Sequence, residues 1–190
     1  MADNAIVVTI HVTNALEVLG VPYFIGGSVA STLYGMVRTT QDSDIVADLR
    51  PENIQFFLEA LQDEFYVDDA MIADAILHRS SFNIIHRESM FKVDIFIPRP
   101  RPFVEMQFSR ARKEYLSSDP VMVANVASPE DTLLAKLEWY RMGGEVSERQ
   151  WRDVVGVIEV QGEALDVDYL HRMARDLGVE DLLDRALKGI

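Results

Sequence analysis

Apolar positions along the chain switch between two periods. Residues 4–19 space them at helical intervals, and Pro22 then opens a short apolar run, YFI, that ends at Gly26 and Gly27. Ser28 to about Tyr34 returns to helical spacing with Gly35 behind it, and the stretch from Ile45 to Leu49 reads as a strand. Pro51 suits the first turn of the next predicted helix, whose Ile54, Phe57, Leu58 and Leu61 share one face. SFNIIH and MFKVDIFI form a predicted hairpin about a polar turn at 87–89, since both are rich in the β-branched and aromatic residues that strands favour. Beyond Ala127 only the helical period remains. It starts at SPED, where Ser128 is the predicted cap, Pro129 the first helical residue and Asp131 the return partner of a capping box. Further helices are predicted at about 147–160, 166–177 and 180–188, and neither a repeat nor a low-complexity tract interrupts the pattern. The expected fold class is α/β (α+β): a core over residues 1–127, with a short mixed β-sheet flanked by helices, and a helical part over 128–190 packed on it.

Composition narrows the chemistry. A chain of 190 residues with 48% hydrophobic content is able to bury a core. It has no cysteine, which excludes disulfides, thiolate metal sites and thiol nucleophiles. The first residues carry neither a basic region nor a small-residue cleavage site, and no apolar run approaches the ~18 residues of a membrane span, so a cytoplasmic protein without membrane contact is expected. The net charge of −13 argues against broad, sequence-independent binding to nucleic acid, which depends on Lys and Arg neutralising phosphates. The stretch 98–127 runs the other way, with Arg99, Arg101, Arg110, Arg112 and Lys113 behind a stiff PRPRP. Two readings stay open for it: a solvated connection, or a landing strip for an anionic substrate.

The candidate chemistry begins at GGSVASTLYGMVRTTQDSD, residues 26–44. Gly26 and Gly27 permit a sharp turn and close approach, and Ser28 falls where a new helix presents unpaired N–H groups and the positive end of its dipole, which together suit phosphate. A tight turn with a serine cap is the alternative. Asp42 and Asp44 lie two residues apart, so in an extended segment both carboxylates share a face, and hard oxygen donors favour Mg²⁺ or Mn²⁺; a solvated acidic turn is the alternative. In FKVDIFI, Val93, Ile95 and Ile97 alternate as a buried face and leave Asp94 on the other, where it must be exposed, paired or metal-bound. Lys136 falls at the edge of the apolar face made by Leu133, Leu137 and Tyr140, so it points either to a cleft or to solvent. Arg149 and Arg152 flank Trp151 and are expected to be solvated or paired with nearby Glu, with the tryptophan packed. His11, His78, His86 and His171 show no metal-ligand spacing, and neither GxSxG nor GxxxxGK[ST] occurs.

Gly-Gly-Ser, then Asp-x-Asp before an apolar residue, then an aspartate inside an apolar strand together resemble the nucleotidyltransferase superfamily that includes DNA polymerase β. SPEDTLLAKLEWYR and RQWRDVV are similar to later motifs of the AbiEii-like minimal nucleotidyltransferases of bacterial toxin–antitoxin systems. The resemblance implies transfer of NMP from an NTP to an acceptor hydroxyl, with RNA among the acceptors and an antitoxin as a protein partner. It further implies that Asp42, Asp44 and Asp94 hold Mg²⁺ or Mn²⁺ and that Asp94 assists deprotonation of the acceptor. Gly26, Gly27 and Ser28 would contact the nucleotide, Lys136 would support its phosphates, and Asp153 would be the acidic residue of the last motif. Ser43 departs from the pattern, which usually has an apolar residue between the aspartates. A non-catalytic module that binds a nucleotide or a partner protein is the alternative.

Overall fold

The computed structural model describes residues 2–37, 40 and 42–189, with side chains from residue 5 onward. Its elements run α1 (Ala2–Val18), β1 (Tyr23–Ile25), α2 (Gly27–Tyr34), β2 (Asp42–Ala47), α3 (Ile54–Leu61), β3 (Phe65–Tyr66), α4 (Asp69–His78), β4 (Ser81–His86), β5 (Lys92–Phe96), α5 (Pro102–Arg110), β6 (Arg112–Ser118) and β7 (Val121–Val126). Four helices complete it: α6 (Pro129–Met142), α7 (Glu148–Gln161), α8 (Val167–Leu177) and α9 (Glu180–Lys188). Among the described residues the strands form a seven-stranded mixed sheet in the order β3-β4-β5-β2-β1-β7-β6. No helix among them is long and apolar enough to cross a membrane.

The centre of the sheet positions the candidate chemistry. β2 runs antiparallel to β1 and parallel to β5, with Asp42 opposite Lys92 and Asp44 opposite Asp94. Ser43, Ile45, Ala47, Val93 and Ile95 are buried on the other face, so the period of two expected for β5 holds for both strands. β2 begins at Asp42 rather than at Ile45, because pairing with β5 reaches back to the first aspartate.

The basic stretch is neither a loose connection nor an open landing strip. It folds into α5 and the β6–β7 hairpin, which extends the sheet beyond β1. Three of its four arginines are taken by acids: Arg101 makes two hydrogen bonds to Glu138, Arg110 lies 2.8 Å from Glu130 and Arg112 lies 2.7 Å from Glu114, while Arg99 donates to the Arg79 carbonyl at 3.2 Å. Helix α4, which the apolar spacing did not announce, starts where the Asp68 carboxylate accepts from the Met71 N–H.

At the start of α6, Ser128 caps as expected, accepting from the Asp131 N–H at 3.1 Å. The Asp131 carboxylate accepts at 2.5 Å from the Tyr169 hydroxyl on α8, a partner that a capping box does not supply. Asp131 is fully buried, and burial pushes its carboxyl above the usual range although Tyr169, Ser128 and Arg110 pull it back. The Arg110 guanidinium stacks 4.0 Å over the Tyr169 ring, tying α5 to α6 and α8. Tyr169→Phe should therefore cost about 1–3 kcal/mol in urea unfolding, because it removes a hydrogen bond to a buried carboxylate. An unchanged midpoint would show that the hydroxyl carries no weight.

Candidate active site

The Gly26–Ser28 turn is built from both sides. The Gly26 N–H donates to the Asp44 carbonyl at 2.9 Å, and the Ala127 N–H, just before α6, donates to the Ile25 carbonyl at 3.0 Å. Gly27 has φ +54°, in the left-handed region. A Cβ there would lie 2.8 Å from Asp44 Cβ and closer still to its Oδ2. The glycine is thus required by a carboxylate packed against the turn, and the Ser28 backbone N–H donates to that same carboxylate. One N–H expected to receive phosphate serves Asp44 in this structure.

The pairing that sets Asp44 beside Asp94 puts neighbouring strands about 4.8 Å apart. Burial raises the Asp44 carboxyl above the ordinary range, and the charges of Asp42 and Asp94 raise it further; Lys136 and the Ser28 N–H act in the opposite sense. Asp94 is held by a cation from its own strand, with Lys92 Nζ 2.7 Å from Asp94 Oδ2. The Lys92 ammonium is correspondingly more basic than usual, chiefly through this bond. Hard oxygen donors on one face, with negative charge that the burial of Asp44 leaves poorly solvated, fit a divalent cation in kind. No group of three His, Asp or Glu among the described residues already surrounds a common metal position.

The other wall comes from α6 and α7. Lys136 points inward, 13% exposed, and bonds Asp153 Oδ2 at 2.7 Å. On α7, Arg149, Asp153 and Gly156 recur at four and three residues, and on α2 and at its C-terminal cap, Ser28, Ser31 and Gly35 recur at three and four. The two rows match rung by rung. Arg149 Nη2 donates to Ser28 Oγ at 3.4 Å and Ser31 Oγ donates to Asp153 Oδ2 at 3.5 Å. A Cβ at Gly35 would sit 3.0 Å from the Gly156 carbonyl carbon, so these backbones touch. Arg149 is exposed, as expected from its sequence neighbours, yet its guanidinium reaches Ser28; Arg152 is exposed as well and pairs with Glu148 at 3.3 Å. Trp151 packs on Tyr140, as expected for a tryptophan on a helix. The signal that could have found Arg149 is its four-residue spacing from Asp153; for Lys92 it is the two-residue spacing from Asp94.

Three solved structures resemble this architecture. An antigenic nucleotidyltransferase-like protein from Paracoccidioides brasiliensis is 18% identical over 98% of this chain and 93% of its own, with TM-score 0.56. The antibiotic-resistance factor ANT(2'')-Ia is 11% identical with both chains fully covered, TM-score 0.53. The fold is nucleotidyltransferase-like. The lincosamide antibiotic adenylyltransferase LnuA, solved with lincomycin bound, is 18% identical over 77% of this chain and 92% of its own, TM-score 0.50. No protein-family model and no curated protein matches the sequence. Within this nucleotidyltransferase-like fold, an open cleft lies away from the aspartates, between Asp48, Arg50, Arg79, Arg99 and Phe108 at the far ends of β2 and β5. Its Arg50 and Arg79 are already committed to Asp48, at 3.2 and 3.6 Å, so size alone does not make it the reactive site.

Proposed function

We propose that the chain is a metal-dependent nucleotidyltransferase. An acceptor hydroxyl attacks the α-phosphorus of an NTP, the bond from that phosphorus to its bridging oxygen breaks, pyrophosphate leaves and the hydroxyl proton passes to Asp94. The observation that carries this reading is the strand register that sets Asp44 beside Asp94, with Asp42 on the same face, against the turn at Gly27 and Ser28.

In this reading Asp42, Asp44 and Asp94 are the ligands of Mg²⁺ or Mn²⁺. The divalent ions supply charge neutralisation at the reacting phosphate and make the acceptor hydroxyl more acidic. The triphosphate lies along Gly26, Gly27 and Ser28, with Lys136 and Arg149 as its cationic contacts and Asp153 fixing the ammonium of Lys136. Residues 1–127 act as the catalytic core, and the helical part 128–190 is the second wall of the cleft. The AbiEii-like resemblance makes RNA the first acceptor to assay and an antitoxin the partner to seek.

The test is transfer of label from each α-labelled NTP, with Mg²⁺ or Mn²⁺, onto a component of total RNA or of a protein extract. Arg149→Ala should raise KM for the NTP roughly tenfold with a smaller change in kcat, as expected for a charge-assisted phosphate contact. NTP that raises the melting temperature while no label moves under any of these conditions would replace catalysis with a binding role.

A further inference from the structure

Among the described residues, Lys92 is a cation in direct contact with the aspartates that is not anchored elsewhere in the fold. It opens β5 directly across from Asp42, shares a face with Asp94 two residues on, and bonds the Asp94 carboxylate at 2.7 Å. The charges of Asp94, Asp42 and Asp44 all act on its ammonium. Lys136 also feels this field but is 13% exposed and held by Asp153, whereas the Lys92 side chain is 42% exposed. A lysine ammonium is a compact, strongly hydrated charge on a flexible stem, so one in that position is free to withdraw into water once something else satisfies Asp94.

We propose that Lys92 is the resident counter-ion of the aspartate site, which holds Asp94 in the metal-free protein and which a divalent cation must displace. This rests on the reading of Asp42, Asp44 and Asp94 as metal ligands. It accounts for the tolerance of three carboxylates on one face, with the Lys92 ammonium set against Asp94. Displacement exchanges one positive charge for two, and the same exchange lowers the affinity of the site for the ion, since the lysine is a competitor present at every moment.

The experiment compares the full-length chain with Lys92→Met and Lys92→Arg, using Mn²⁺ alone as the probe, with free Mn²⁺ counted by electron paramagnetic resonance and unfolding followed by calorimetry. Lys92→Met should bind Mn²⁺ roughly tenfold more tightly than the native chain, because a competing charge has gone. It should melt lower in EDTA and regain that loss when Mn²⁺ is added. Lys92→Arg keeps the charge and should keep the weaker native affinity. If Lys92→Met does not fold in EDTA, Lys92→Gln serves the same comparison. Affinity that stays equal or falls when the charge is removed overturns the proposal. Absence of Mn²⁺ binding by the native chain and every variant at millimolar ion overturns the metal reading itself, a result distinguishable from the first because nothing binds at all.

Discussion

Asp44→Asn is expected to lower nucleotidyl transfer by roughly a thousandfold or more while the chain stays as stable as before, or becomes more so. The amide keeps the shape of the carboxylate and still accepts the Ser28 N–H, but it lacks the charge a divalent ion needs. The same charge is a burden to the metal-free fold, because burial and the neighbours Asp42 and Asp94 hold the Asp44 carboxyl above the ordinary range. The sign of the pH effect follows. Between the ordinary carboxylate value and the raised one, the folded chain binds this proton more readily than the unfolded chain, so stability falls as pH rises through that window. At neutral pH the full penalty is present in the native chain and absent from Asp44→Asn. On acidification through the window the two melting temperatures should converge. A variant that melts well below the native chain at neutral pH, or that still transfers label, would sink the assignment.

Gly27→Ala should be nearly as damaging to activity and, unlike the first variant, costly to the fold. Left-handed backbone at φ +54° costs a residue with a Cβ about 1–2 kcal/mol, and overpacking against the Asp44 carboxylate adds about 1–3 kcal/mol. The second part belongs to one pair of residues. In Gly27→Ala/Asp44→Gly the clash disappears and only the backbone strain remains, so urea unfolding should yield a coupling energy of about 1–3 kcal/mol between the sites. Strictly additive losses would mean that Asp44 does not dictate this glycine.

The helices after Ala127 were legible because each carries its own punctuation. Ser128 and Ser147 accept from the N–H three residues on, and Gly178 closes α8 in the left-handed conformation. Strand β6 was not legible: RKEYLSS is an exposed edge strand, so its polar residues mimic a loop and only its pairing with β7 reveals it. The three aspartates were visible through their period of two within each strand, but the register that sets Asp44 against Asp94 is fixed by a parallel pairing between segments about fifty residues apart, which no local pattern encodes. Arg149 was hidden for a related reason. Beside Trp151 and Arg152 it looks like one more surface arginine, and exposed it is, but the stacking of α7 on α2 brings its guanidinium to Ser28.

That stacking has a consequence for the order in which the chain is made. Ser28 and Arg149 are 121 residues apart, and Ser31 and Asp153 are 122 apart. At about 5–20 residues per second, on the order of ten seconds of synthesis separates the turn from the arginine that meets it. Through that interval the nascent polypeptide has the Gly26–Gly27 turn and both early aspartates but not the α7 residues that meet the Ser28–Ser31–Gly35 row. The opposite wall of the cleft is complete only once α7 has been made, so an incomplete product released from the ribosome before α7 lacks half of the site.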